Sequence, residues 1–321
     1  MGKRPRGGVN FFQGLEKLGV GSACLWTERR QTGSLSRMKE TYSQQDLVDF
    51  QPQHDLFFGI DSDGCVFDSM TMKQRVFHDG ILEFWGLEDV ADDARRICEW
   101  VGLYSPWRGL NRFQLILRIF QALNESGTAQ IETASLEVFV NSGVPLSMAE
   151  LAKRDDAELK KVLEWSAEMS RRISELPPIP VFDEVFQCLE KIRGAADAIV
   201  VSQTTEEALV REWRNAGLEK FVDVIAGAEL GSKAESLTRA AVGRYALEQI
   251  VMVGDALGDL EAAQAVGCVF FPIIPGDEIA SWIELRDVAL GRLQNGTFAG
   301  AYQDELIKRF NAALSPVPPW Q

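Results

Sequence analysis

A three-layer α/β fold carrying an all-helical insertion is the architecture this sequence predicts. Three observations lead to it: short apolar runs that end in polar or glycine-rich turns, helical periodicity between those runs, and one interval too long for a single crossover. The runs are residues 56–60, 198–201, 221–226, 249–253 and 268–274. Unbroken apolar stretches of this length suit strands of a parallel sheet that is buried on both faces. Between them, residues 205–216 stop at Gly217, and residues 232–245 space their apolar side chains at the helical period. Strands alternating with helices predict a parallel sheet with helices on both sides.

The interval from Ile60 to Ala198 is about 135 residues, far more than one crossover helix uses. Its own pattern is helical. Leu115, Ile116, Ile119, Phe120 and Leu123 form one apolar stripe; Leu159, Val162, Leu163, Met169, Ile173 and Leu176 form another, interrupted by Ser166. Ser147-Met148-Ala149-Glu150 fits a capping box, and Pro177-Pro178-Ile179-Pro180 ends the last helix and returns the chain to the sheet. The expected division is a mobile or partly helical N-terminal extension over residues 1–50, a sheet-bearing core over 51–70 and 178–321, and a helical cap over 71–177. A domain inserted after the first strand sits above the carboxyl ends of the strands, where it can act as a lid.

The 321 residues are 46% apolar and 25% charged, so the chain can bury a sizeable core. The formal charge of -14 argues against a nucleic-acid partner. Residues 1–39 depart from that trend, with eight Lys/Arg against Glu16 and Glu28. The basic start resembles a signal-peptide n-region, but Glu16 and Lys17 break the apolar block that would have to follow. Met38 is an alternative start. Gly19-Val20-Gly21 lacks the strand and third glycine of a dinucleotide fingerprint. The five cysteines are scattered, with no CxxC pair, which fits a reducing compartment. No apolar run is long enough to span a membrane. Together these predict a cytoplasmic protein with no membrane and no nucleic-acid partner; the oligomeric state stays open.

Ligands of open α/β sheets bind beyond the carboxyl ends of the strands, so the turn after each run is searched first. Asp61-Ser62-Asp63-Gly64 follows the first run and Ser202-Gln203-Thr204-Thr205 the second. Gly231-Ser232-Lys233 comes shortly after the third, and Gly254-Asp255-Ala256-Leu257-Gly258-Asp259 follows the fourth. Asp61, Asp63, Asp255 and Asp259 brought to one rim would repel unless a cation joined them. Hard oxygen donors without His or thiolate suit Mg2+. Lys233 adds a fixed positive charge, and the Ser202 hydroxyl with the turn N–H groups can bind phosphate oxygens.

This ordered set, Asp61-x-Asp63-Gly64, Ser202, Lys233 and Gly254-Asp255-x3-Asp259, resembles the four motifs of the haloacid dehalogenase (HAD) superfamily of phosphatases, and the helical insert resembles that family's type 1 cap. The resemblance implies a Rossmann-like core and Mg2+-dependent hydrolysis of a small phosphorylated metabolite. It makes Asp61 the nucleophile that becomes phospho-aspartate and Asp63 the general acid, then base. It makes Lys233 and Ser202 catalytic partners, and Ser202, Gln203 and Lys233 the phosphate-binding set. Metal binding falls to Asp61, Asp63 through its carbonyl, and Asp255, with Asp259 acting through water or on Lys233. The insert is larger than many such caps.

Each residue also has a plainer reading. Asp-x-Asp-Gly alone is a common turn or helix cap, a lone serine after a strand is often an N-cap, and a lone lysine is usually a surface cation. Asp68-Ser69 reads as the cap of the first insert helix. In the insert, Arg108 and Arg112 could clamp an anionic part of the substrate, or be surface arginines beside a loop packed by Trp107. His78 could reach the cleft or simply pack, and His54 is isolated. Two rival functions stand beside hydrolysis: phosphoryl transfer back to a bound sugar phosphate, as in a phosphomutase, and ligand binding without catalysis on the same fold.

Overall fold

The computed structural model describes residues 39–319. The readings made on residues 1–38 (the basic segment, the glycine fragment, the alternative start) lie outside the described residues. All five strands form where apolar runs predict them: β1 Phe57–Ile60, β2 Asp197–Val201, β3 Val224–Ala226, β4 Ile250–Gly254 and β5 Val269–Pro272. They are parallel and buried along their whole length, in the order β3-β2-β1-β4-β5. The third run yields the shortest strand because Glu219–Phe221 turns as a 3-10 helix before the chain extends.

This order explains where a site can form. From β1 the chain proceeds to β2 and β3 on one side, then crosses back to β4 and β5 on the other. The crevice at that reversal lies between β1 and β4, where helices leave the sheet in opposite directions. Asp61 follows β1 and Asp255 follows β4, and the Asp61 N–H donates to the Val253 carbonyl at 2.9 Å. The two acids are neighbours because their strands are.

Apolar side chains separate into two clusters. One surrounds the sheet and includes Phe57, Phe58, Ile199, Trp213, Leu237, Phe270, Trp282 and Phe310. The other lies within the insert, where Ile81, Ile97, Phe113, Ile116, Phe120, Leu136, Val162, Trp165 and Met169 are buried together. The predicted stripes fall on the helices Arg112–Glu125 and Ala157–Ser174. Ser166, the interruption in the second stripe, is buried and accepts from Arg112 at 3.1 Å. The helix Ser69–Trp85 packs on Ala157–Ser174 at Gly80, where a Cβ would stand 2.2 Å from the Met169 sulfur. Only glycine permits that approach.

Three local expectations change. The segment 39–50 is built into the core: the helix Gln44–Val48 buries Leu47, and Phe50 meets Phe57 edge-on at 5.6 Å. The polar residues around those isolated apolar positions hid them from a periodicity search. The proposed capping box at Ser147 is half made. Its hydroxyl accepts from the Glu150 N–H, and the helix Met148–Leu151 is a single turn. Asp68 precedes the helix Ser69–Trp85 without capping it through its side chain. Instead the Asp68 N–H donates to the Pro180 carbonyl and the Phe182 N–H to the Val66 carbonyl, so the two connections to the insert run paired. The Ser69 hydroxyl accepts from the Gly64 N–H.

Cys65, Cys98, Cys188 and Cys268 are free thiols. Among the described residues no helix is long and apolar enough to cross a membrane.

Candidate active site

Asp61 leaves β1 into a turn tied by two N–H groups, of Val66 and Phe67, that donate to the Ser62 carbonyl, while the Ser62 hydroxyl accepts from the Trp213 indole. Gly64 stands in this turn with φ +75, and a Cβ there would meet an Asp255 carboxylate oxygen at 2.4 Å and Met70 at 2.5 Å. A side chain at position 64 would therefore strain the backbone and push into the acids.

Asp61, Asp255 and Asp259 are buried and can each place an oxygen within 4.8 Å of the others'. Lys233, the first residue of the helix Lys233–Ala241, lies between two of them. Its ammonium is 2.9 Å from Asp61 Oδ2 and also donates to Asp259 Oδ1. The second oxygen of Asp259 accepts from the Ala256 N–H at 3.0 Å, so Asp259 is held on both sides as a support for Lys233. Burial would strip the proton from Lys233, but the two carboxylates outweigh it and hold the ammonium charged.

What is left over is informative. Oδ1 of Asp61 and Oδ1 of Asp255 are buried without a hydrogen-bond partner. Burial pushes both carboxyls up, to about 6, against the pull of Lys233 on Asp61 and of Arg108 on Asp255. Two buried, unpartnered carboxylate oxygens on acids that approach one another this closely fit a hard divalent cation. Burial also lifts the neighbouring Cys65 thiol well above its ordinary range, so it stays protonated and leaves the donor set all oxygen.

A carboxyl whose folded pKa is raised binds its proton more tightly folded than unfolded, so its contribution to stability is fully present below about 4 and lost as pH rises towards 6. A cation that binds the ionised pair offsets that loss. Millimolar Mg2+ is expected to raise the melting temperature at pH 7.5 and to have little effect at pH 5, where protons hold the same oxygens. Differential scanning fluorimetry checks this, and equal shifts at the two pH values would contradict it.

Asp63 faces elsewhere. Lys73 donates to its Oδ1 and the Thr204 hydroxyl to its Oδ2, both at 2.7 Å. Burial alone would raise Asp63, but Lys73, Ser69 and Thr204 together hold it below the usual carboxylate range. Its carboxylate lies outside the group of three. Ser202 is buried at the end of β2, where its hydroxyl accepts from the Thr204 N–H at 3.3 Å. Gln203 is exposed.

The insert residues divide. Arg108 is 4% exposed and donates from Nε to Asp255 Oδ2 at 2.6 Å, so it reaches the acids themselves. Arg112 instead donates to the Ser166 carbonyl and the hydroxyls of Ser166 and Ser170, with its guanidinium over the Phe77 ring. It is spent inside the insert, which removes it from the anion clamp. His78 is buried in the insert, which drives its pKa down to about 4 and keeps it neutral. His54 pairs with buried Asp197 at 3.1 Å beneath the opposite end of β2. Trp107 packs edge-on to Trp100, as a loop anchor does.

Lys73 and Thr204 were not singled out from sequence. Thr204 lies two residues beyond Ser202 on a turn already marked, and that was the available signal; Lys73 sits one turn into a helix with nothing to distinguish it from a solvated lysine.

The model of the haloacid dehalogenase-like hydrolases matches residues 110–273, just over half of the chain. The protein belongs to the haloacid dehalogenase-like hydrolase family. The matched stretch contains Ser202, Lys233, Asp255 and Asp259 and begins after Asp61 and Asp63, which the fold brings to the same rim. No curated protein matches the chain. Among solved structures, the HAD hydrolase YfnB from Bacillus subtilis bound to magnesium is similar at 16% identity, over 68% of this chain and 86% of that one, with a TM-score of 0.41. A predicted phosphoglycolate phosphatase from Haemophilus somnus is similar at 15% identity, over 68% and 84%, with a TM-score of 0.43. A haloacid dehalogenase-like hydrolase from Bacteroides fragilis is similar at 15%, over 71% and 93%, with a TM-score of 0.46.

Proposed function

We propose that this HAD-family hydrolase is a Mg2+-dependent phosphatase of small phosphomonoesters that works through a phospho-aspartyl intermediate on Asp61. The observation that carries the reading is the buried pair of unpartnered oxygens on Asp61 and Asp255, beside an Asp61 oriented by Lys233. Asp61 and Asp255, with the Asp63 carbonyl, would hold the metal. When bound it supplies positive charge that screens the phosphate from the carboxylates and orients the phosphoryl group.

A carboxylate oxygen of Asp61 attacks phosphorus and the leaving oxygen departs with a proton from Asp63. Lys233 keeps Asp61 ionised and placed, and it offsets charge that accumulates during transfer. The contacts of Asp63 with Lys73 and Thr204 hold it as a carboxylate, the form that takes a proton from the water attacking the phospho-aspartate. For the first half-reaction Asp63 takes up a proton from solvent, exchanges those contacts for the leaving-group oxygen and gives that proton to it. Ser202 lies at the rim as a hydroxyl donor to the phosphoryl oxygens. The insert, by closing over the strand ends, keeps bulk water from the intermediate.

The test is turnover of purified protein on a panel of phosphorylated sugars, phosphoglycolate, nucleotides and amino-acid phosphates. Mg2+-dependent phosphate release abolished by chelator, with an acid-stable but hydroxylamine-labile phosphoenzyme, is the expected result. An isomerised product without phosphate release, or binding without turnover across the panel, would replace this reading with one of its rivals.

A further inference from the structure

Arg108 comes from the insert yet ends on a core acid. Its Nε donates to Asp255 at 2.6 Å, with the two side chains 3% and 2% exposed. Nη1 donates to the Leu103 carbonyl at 3.0 Å, and Nη2 lies 4.0 Å from Glu278. Lys233 serves Asp61 and Asp259; among the described residues, Arg108 is the cation that Asp255 pairs with. The polar clamp between insert and acid cluster is therefore also the counter-charge of one proposed metal ligand.

A divalent cation on Asp255 Oδ1 would share a single carboxylate with that guanidinium. The two positive charges would then sit on one buried carboxylate, where repulsion is strong. The relief available is withdrawal of Arg108 with the segment that carries it. That segment belongs to the insert and would leave the core with it: Trp100 and Val101 lie in the insert's apolar cluster, and Arg108 is bonded to the same segment through Leu103.

We propose that Arg108 is a positioning residue that competes with the divalent cation for Asp255, so that metal loading and release of the 100–112 loop from the core form one linked equilibrium. The proposal rests on the metal reading of the site given above. By linkage, Arg108 weakens metal binding to the same extent that metal weakens the loop's hold.

Mn2+ titrated calorimetrically into wild type, Arg108→Gln and Arg108→Lys reads the first half, with no turnover involved. Arg108→Gln is expected to bind Mn2+ roughly tenfold or more tightly than wild type, and Arg108→Lys to stay near wild type. Hydrogen exchange on wild type reads the second half and does not depend on any variant folding. Amides of residues 100–112 are expected to exchange faster once Mn2+ is bound. Unchanged or weaker Mn2+ affinity in Arg108→Gln would overturn the proposal, as would slower exchange in the loop on metal binding. Absence of Mn2+ binding in wild type and variants alike would overturn the metal reading itself, a result distinct from intact binding that ignores Arg108.

Discussion

Replacing Asp61 by Asn is expected to lower turnover of any phosphomonoester substrate by on the order of 10⁴-fold or more while the protein stays folded. The amide is isosteric but cannot accept a phosphoryl group, and loss of a nucleophile removes the step on which the other groups act. Stability should hold or rise slightly, because Asp61 is a buried carboxylate whose ionisation is opposed by its surroundings. Lys233 retains Asp259 in the variant. Steady-state kinetics with a chelator control, together with a thermal melt, checks both halves. Residual turnover above a hundredth of wild type would remove Asp61 from its proposed role.

Lys233→Ala acts in the opposite way on stability. The lysine is 13% exposed and is shared by Asp61 and Asp259. Its loss leaves two buried carboxylates and the unpartnered Asp255 oxygen close together without that cation. Breaking a buried pair costs about 3–5 kcal/mol, reduced to the extent that the orphaned acids take up a proton. Turnover should fall roughly 10²-fold to 10³-fold, as when a charge-stabilising donor is removed. Denaturant unfolding at pH 7.5 measures the first effect. A stability within about 1 kcal/mol of wild type would show that the cluster is compensated by some other group. The contrast between the variants is diagnostic, since one removes an ill-solvated charge and the other removes the charge that offsets it.

Much of the fold was legible because the strands announce themselves chemically. A strand buried on both faces must be apolar at every position, so runs such as Ala-Ile-Val-Val before Ser202 and Ile-Val-Met-Val before Gly254 stand out against any background. The acids after them were legible for the complementary reason: a carboxylate directly behind a buried strand is expensive unless it has work or a partner. Arg112 was misread because its fate depends on Ser166 and Ser170, on a helix more than fifty residues away, and an arginine beside an aromatic loop looks the same whether it faces a cleft or a helix. Leu47 and Phe50 were missed because two apolar residues in a polar stretch have no period.

The five strands, the helical nature of the insert and the identity of the acidic residues at the strand ends were determined by sequence alone, since each follows from local patterning or from which side chains can tolerate a given burial. Tertiary structure alone decided which charges neutralise one another. Arg108 finds Asp255 across 147 residues, and Lys73 finds Asp63 from the first helix of the insert. Such pairings depend on how the insert folds back over the sheet, and Coulomb attraction acts on distance in space, to which separation along the chain gives no guide.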